Sequence, residues 1–210
     1  MNSQSDMAPS AFCLRSSAFE TWRSSFWQYL QQKDVADGLK TASLCEDLRQ
    51  WTSDLTTAVV KSCEAVGWVA AAKGNPCKRL PKKGQEYLGI DVMALPAACG
   101  DECRWPMPLA VFELENHHTD DRVAYSLWKV LCIRAGLRVV FAYRPDWEQG
   151  RQLVSAISRD VIGGMKPEER SAIDGQTVVV VGNRGEGETF PWGYFKFWAL
   201  DANLGRFGKI

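Results

Sequence analysis

The sequence predicts an α/β fold, and three observations predict it. Apolar residues between 17 and 66 recur at three- and four-residue steps or multiples of them, the period of amphipathic helices. From residue 67 onwards, short segments rich in β-branched and aromatic residues take over, bounded by Gly and Pro. A helical pattern then returns over 121–135 and leads into Leu137-Arg138-Val139-Val140-Phe141-Ala142-Tyr143, the helix-to-strand return of an α/β layer.

Composition narrows the class. With 210 residues, 46% of them hydrophobic and 24% charged, the chain suits one substantial globular core with an N-terminal helical annex. Its formal net charge is zero, so any contact with nucleic acid has to come from a local basic patch and not from a global field. Residues 1–10 are polar and lack the apolar centre of a signal peptide. No apolar run reaches the ~18 residues that suggest a membrane span. The expectation is a cytoplasmic protein without a membrane partner, its seven cysteines reduced.

Residues 1–10 read as a disordered leader, and a helix opens at Ser16 or Ser17. Phe19, Trp22, Phe26, Tyr29 and Leu30 are its core-facing stripe. The segment 33–40, with Asp34 and Gly38, reads as a turn. Leu44, Leu48, Trp51, Leu55, Val59 and Val66 carry a second helical pattern over 41–66, with Thr52-Ser53-Asp54 available as a restart. Glu46 and Glu64 project opposite that stripe. This sets the expected organisation: leader plus first helix over 1–40, then a single α/β domain over 41–210.

A first strand over 67–72 precedes the most basic stretch of the chain. Lys73, Lys78, Arg79, Lys82 and Lys83 lie among Gly74, Pro76, Pro81 and Gly84, with no acid between them, which makes a loop. Such a loop suits the backbone of a polyanion. It also suits a plain solubilising surface.

Two strands follow, over 87–95 and 109–116, and both carry acids. Alternation puts Leu88, Ile90, Val92 and Ala94 on one face of the first, opposite Gly89, Asp91 and Met93. In the second, Ala110, Phe112 and Leu114 oppose Val111, Glu113 and Glu115. If the strands pair, Asp91, Glu113 and Glu115 converge. Three adjacent carboxylates need a cation, a retained proton or open water. Mg2+ answers the first need, being a hard cation that prefers oxygen, whereas separate solvated acids need none. Between and beside these strands, Cys77, Cys99 and Cys103, with His117 or His118, form a weak zinc pattern.

Beyond Asn116 a helix opens on Asp120 or Asp121 as its cap. Val123, Leu127, Val130 and Leu131 form its buried stripe, while Arg122, Ser126 and Lys129 line one flank, and Gly136 ends it. The strand over 137–143 comes next, then a helix over 149–163 and a buried strand over 177–181. The glycine-rich run over 182–187 is not a phosphate-binding loop, since no Lys-Ser/Thr and no helix follow it. A last strand over 194–200 reads as a sheet edge.

The order helix, three strands, helix, strand, with Gly89-Ile90-Asp91 on the second strand and Glu113-Leu114-Glu115 on the third, resembles the PD-(D/E)XK nuclease superfamily over about residues 41–143. The resemblance implies a restriction-endonuclease-like αβββαβ core with a mixed central sheet, here with a C-terminal α/β extension. It implies Asp91 and Glu113 as ligands of Mg2+ or Mn2+, and DNA as substrate. Glu115 stands where the motif normally has lysine, which leaves it a second-metal or proton-accepting role. Lys129 on the following helix is the candidate for a migrated lysine, and Glu64 matches an acid that some members contribute from the first helix. The function so implied is metal-dependent hydrolysis of DNA phosphodiesters by in-line displacement, with Asp91, Glu113, Glu115 and Lys129 at the reacting centre. The missing motif lysine supports an alternative: a catalytically inactive nuclease-fold module that binds nucleic acid or a protein partner. Restriction-like enzymes often act as dimers, so a homodimer is the other association implied.

Overall fold

The computed structural model describes residues 17–78, 80, 86–97 and 105–210. The leader over 1–10, Arg79, Lys82 and Lys83 of the basic loop, and Cys99 and Cys103 lie outside the described residues.

Helix α1 (Ala18–Leu30) begins where the Ser17 hydroxyl accepts the Glu20 amide hydrogen at 3.2 Å, an N-cap that satisfies one orphan donor. Its stripe, Phe19, Trp22, Phe26 and Leu30, is fully buried. Trp22 lies 5.0 Å from the ring of Phe112, and Phe26 lies 5.7 Å from Phe141, so α1 shares one core with the sheet. The segment expected to turn, 33–40, is helical instead, within α2 (Lys33–Leu44). Burial of Leu39 and Ala42 outweighs the poor helix propensity of Asp34 and Gly38. The boundary expected between residues 40 and 41 therefore falls inside a helix. The long helix expected over 41–66 is broken at Glu46, which has φ 54°. Helix α3 (Leu48–Ala65) restarts on Asp47, whose carboxylate accepts the Gln50 amide hydrogen at 3.0 Å, more than a turn before Thr52-Ser53-Asp54. Leu44 and Leu48, expected in the stripe, are exposed.

Among the described residues, seven strands form one mixed sheet in sequence order. β1 (Trp68–Ala72) pairs antiparallel with β2 (Val92–Pro96), and β2 pairs antiparallel with β3 (Ala110–Leu114). β4 (Leu137–Arg144) is parallel to β3, and β5 (Gln176–Asn183) is parallel to β4. β6 (Phe195–Asp201) and β7 (Arg206–Lys209) close the order antiparallel. Parallel neighbours require crossovers. α4 (Asp120–Leu131) supplies the first; α5 (Trp147–Ile157), a π-helical turn (Ser158–Ile162) and α6 (Pro167–Ser171) supply the second. α4 stops at Leu131, before Gly136. β6 is not an edge: β7 covers it, a four-residue strand too short to register as a pattern.

Two apolar layers sandwich this sheet. Val92, Ala94, Phe112, Leu114 and Phe141 pack with α1, α2 and α3. Met93, Leu95, Val111, Val140 and Val179 pack with α4 and α5. Among the described residues no helix is long and apolar enough to cross a membrane.

Candidate active site

The strand expected over 87–95 loses its first half. Tyr87 and Ile90 bridge across a tight turn in which Leu88 (φ 57°) and Gly89 (φ 66°) are both left-handed. Gly89 takes that conformation without steric cost, and Leu88 does not. The reversal also breaks the expected alternation. Ile90 packs with Met93 and Leu95, not with Val92 and Ala94.

Asp91 sits between this turn and β2, one step beyond the Val92–Phe112 pair and hence across from Glu113. Its Oδ2 accepts the backbone N–H of Leu114 at 2.7 Å, which ties it to β3. Glu113 is buried on the Val111 face of β3, at 4% exposure, looking towards α4. Helix α4 docks through Val123, Leu127 and Val130. That docking turns Ser126 and Lys129, three residues apart and so on one flank, towards the acids. Lys129 Nζ lies 2.6 Å from Glu113 Oε2 and also donates to the Gly89 carbonyl at 2.7 Å. Glu115 accepts the His117 amide hydrogen at 2.8 Å through Oε1, and the Ser126 hydroxyl at 3.4 Å through Oε2.

Burial governs the electrostatics. It pushes the Glu113 carboxyl up to about 7, with the Lys129 hydrogen bond opposing and the Asp91 charge reinforcing the rise. Burial raises Asp91 as well, against the Leu114 hydrogen bond and with help from Glu86. Glu113 therefore titrates close to neutral pH, and the Asp91 carboxyl is shifted in the same direction by the same cause.

Whether these acids fit a divalent cation can be judged from their unsatisfied atoms. Glu113 Oε1 is buried and has no hydrogen-bond partner. With Asp91 opposite, it offers a hard-oxygen pair of the kind Mg2+ takes while keeping water and phosphate oxygens as its other ligands. The larger expected set, Asp91, Glu113, Glu115 and Glu64, is not assembled. Among the described residues no three His, Cys, Asp or Glu side chains are placed to hold one metal. Glu115 holds the turn between β3 and α4. Glu64 is exposed near the C-terminal end of α3, where it pairs with Lys61 at 2.8 Å. It is Thr52, near the other end of α3, that meets the residues beyond β3, accepting a hydrogen bond from Asn116 at 2.5 Å. At 1.5 Å per residue Glu64 stands ~18 Å further along the helix axis.

Lys73 and Lys78 are exposed, and Lys73 lines a groove of about 840 Å³ with Arg49, Thr52, Thr56 and Lys61. Cys77 is a buried free thiol. His117 and His118 stack on each other at 4.6 Å, and His117 Nδ1 is engaged with Thr119, so no zinc set forms among the described residues. Sequence reasoning missed Tyr143, Arg144 and Arg184, which gather near Asn116 at the carboxyl ends of the parallel strands. The only local signal was the polar or charged residue that follows each of these strands.

Compared with known protein families and with curated proteins, the chain matches none.

Proposed function

We propose that this chain is a metal-dependent nuclease of the PD-(D/E)XK kind, cutting DNA. One observation carries the reading: Lys129 reaches from α4 to Glu113 and the Gly89 carbonyl, bringing a cation to the acid pair where the Glu-Leu-Glu motif lacks one. The order α3, β1, β2, β3, α4, β4, with two antiparallel pairings and then a parallel one, supports it as the αβββαβ arrangement.

Asp91 and Glu113 are the residues that would hold Mg2+ or Mn2+, whose charge, when bound, polarises a phosphodiester and acidifies water. The residues themselves do the rest. The Leu114 amide fixes one Asp91 oxygen and so orients its carboxylate. Lys129 keeps positive charge beside the place where phosphate charge accumulates, the role in which fixed charges contribute most. Glu113 receives or releases a proton near neutrality, so its acid pair gains full charge only on the alkaline side. The exposed Lys73 and Lys78 are suited to the DNA backbone.

A second reading has its own support. Glu115 is engaged structurally, which suits a catalytically inactive module that binds nucleic acid or a protein partner, itself included. Plasmid and linear DNA incubated with Mg2+, Mn2+ or EDTA separate the two. The nuclease reading expects metal-dependent cutting that falls at least ~100-fold in Asp91→Ala and Lys129→Ala, the scale of losing a charge-stabilising group. A folded protein that cuts with neither metal leaves the binding module.

A further inference from the structure

A second polar site lies on the same end of the sheet. A crevice of about 430 Å³ is lined by Asn116 and His118 beyond β3, Tyr143 and Arg144 at the end of β4, and Arg184 just after β5. Crevices outside the carboxyl ends of parallel strands are where open α/β sheets bind ligands. Arg144 is buried and internally satisfied: it donates to the Tyr143 carbonyl at 2.6 Å and pairs with Asp120 at the start of α4. Arg184 is different. Its half-buried guanidinium lies 4.9 Å from the centre of the Tyr143 ring, and among the described residues no carboxylate or hydrogen-bond acceptor engages it. Its N–H donors are thus left for another molecule.

Two more polar atoms at this crevice have hydrogen-bonding capacity left over. Asn116 Oδ1 is buried and makes no hydrogen bond, although the Asn116 amide nitrogen is anchored on Thr52. The buried Tyr143 hydroxyl has beside it the Trp51 indole N–H, which can only donate and so leaves the hydroxyl's own hydrogen unused. Orphaned buried polar atoms are uncommon, and their place beside the unpaired Arg184 guanidinium in one crevice marks it as a position for a bound molecule. Burial also raises the Tyr143 hydroxyl above its ordinary pKa, so it stays a donor. The Asp120 carboxylate in the same lining is paired with Arg144, so what the lining leaves free is a cation and a hydroxyl donor for an anion, and beside them one acceptor for an O–H or N–H.

We propose that this crevice binds a nucleotide unit, its phosphate on Arg184 and the Tyr143 hydroxyl and its sugar hydroxyl or a base N–H on Asn116 Oδ1. Inorganic phosphate alone satisfies only the first half of that set. The choice of a nucleotide rests on the nuclease reading: Asn116 is three residues along the chain from Glu113, about 10 Å in extended backbone, so one strand can occupy both sites. The nucleotide is either the phosphorylated end of that strand or a free mononucleotide.

The test measures binding in EDTA, where cutting cannot interfere. Labelled oligodeoxynucleotides with and without a 5′-phosphate are titrated against the full chain and Arg184→Gln, with a deoxynucleoside monophosphate as competitor. The phosphate is expected to tighten binding about tenfold, the worth of one charge-assisted hydrogen bond. In Arg184→Gln that difference disappears, while the thermal midpoint falls by no more than the single contact with the Tyr143 ring accounts for. Competition by the mononucleotide as strong as by the phosphorylated strand identifies the free nucleotide as the ligand; weaker competition identifies the strand end. Equal binding of both oligonucleotides with no competition overturns the proposal, as does a phosphate preference that survives in a folded Arg184→Gln. Phosphate preference without cutting in any metal would remove the nuclease reading alone. Cutting without phosphate preference would remove this inference alone.

Discussion

Lys129 Nζ lies 2.6 Å from Glu113 Oε2 and 2.7 Å from the Gly89 carbonyl oxygen, so one side chain joins α4 to β3 and to the turn that precedes β2. The bond is partly buried: Lys129 keeps 22% of its side-chain surface and Glu113 only 5%. Removing Lys129 leaves Glu113 without its cation, and the buried acid then holds its proton to higher pH. Lys129→Met should destabilise the fold by about 1–3 kcal/mol at pH 8, below the full range for breaking a buried pair because the lysine is partly solvated and Glu113 can neutralise. At pH 5, where Glu113 is protonated in either protein, the difference should shrink. Urea unfolding at the two pH values measures both, and an equal loss at each would contradict the pairing.

Glu113 should also make the protein less stable as pH rises. Its carboxyl titrates near 4.5 in the unfolded chain and about 7 in the fold. Between those values the folded state holds a proton that the unfolded state has released. Stability is thus greatest below the lower value and declines as pH climbs through the upper one, by up to about 3 kcal/mol. Asp91, also raised, adds in the same direction. Glu113→Gln should flatten most of the decline and exceed the wild type in stability at pH 8. Parallel stability–pH curves for the two proteins would show that Glu113 is not the group responsible.

Divalent metal is expected to act on the same equilibrium. Mg2+ or Mn2+ binding Asp91 and Glu113 only when both are charged should raise the melting temperature at pH 8 more than at pH 5.5. A free concentration 100-fold above Kd corresponds to about 2.7 kcal/mol. Thermal melts with and without metal test this, and Asp91→Ala or Glu113→Gln should remove the shift.

The turn before Asp91 carries measurable strain. Leu88 is 72% exposed at φ 57°, a conformation that costs a branched L-residue about 1 kcal/mol. Leu88→Asn should recover about 0.5–1 kcal/mol, because asparagine tolerates the left-handed region. Gly89→Ala should cost about 1 kcal/mol although open space surrounds the added carbon, because the loss comes from φ 66°. It should also disturb the carbonyl that Lys129 uses. Chemical denaturation of the pair, expected to move in opposite directions, checks both.

Asp47 gives a purely structural control. Asp47→Ala should destabilise by about 1 kcal/mol through loss of the α3 cap, whereas Ser53→Ala, mid-helix and exposed, should change stability by less than ~0.5 kcal/mol. A reversed order would place the helix start where the sequence alone suggested it.

Much of the architecture was legible because its signals are local. The Phe19, Trp22 and Phe26 stripe and the Val123, Leu127 and Val130 stripe each name a buried helix face by period alone. The alternation in β3, with Phe112 on one face and Val111 and Glu113 on the other, held for the same reason. Where packing overrode local preference, the reading failed. Leu39 and Ala42 drew the Asp34–Gly38 segment into a helix, and β7 formed on β6 with too few residues to leave a pattern. At the candidate site, Gly89 was a visible warning of a turn, but Leu88 gave none, and the pair cut the second strand short.

The sequence by itself determined an α/β chain, the faces of its main helices and the acids and lysine worth testing, since each depends on residues only a few positions apart. Only the tertiary structure decided that Asp91 stands across from Glu113, that Lys129 pairs with Glu113, and that Glu64 and Glu115 are engaged elsewhere. Those outcomes depend on strand register and on the docking of α4 over the sheet. Both are set by the burial of side chains distant in sequence, and no local period encodes them.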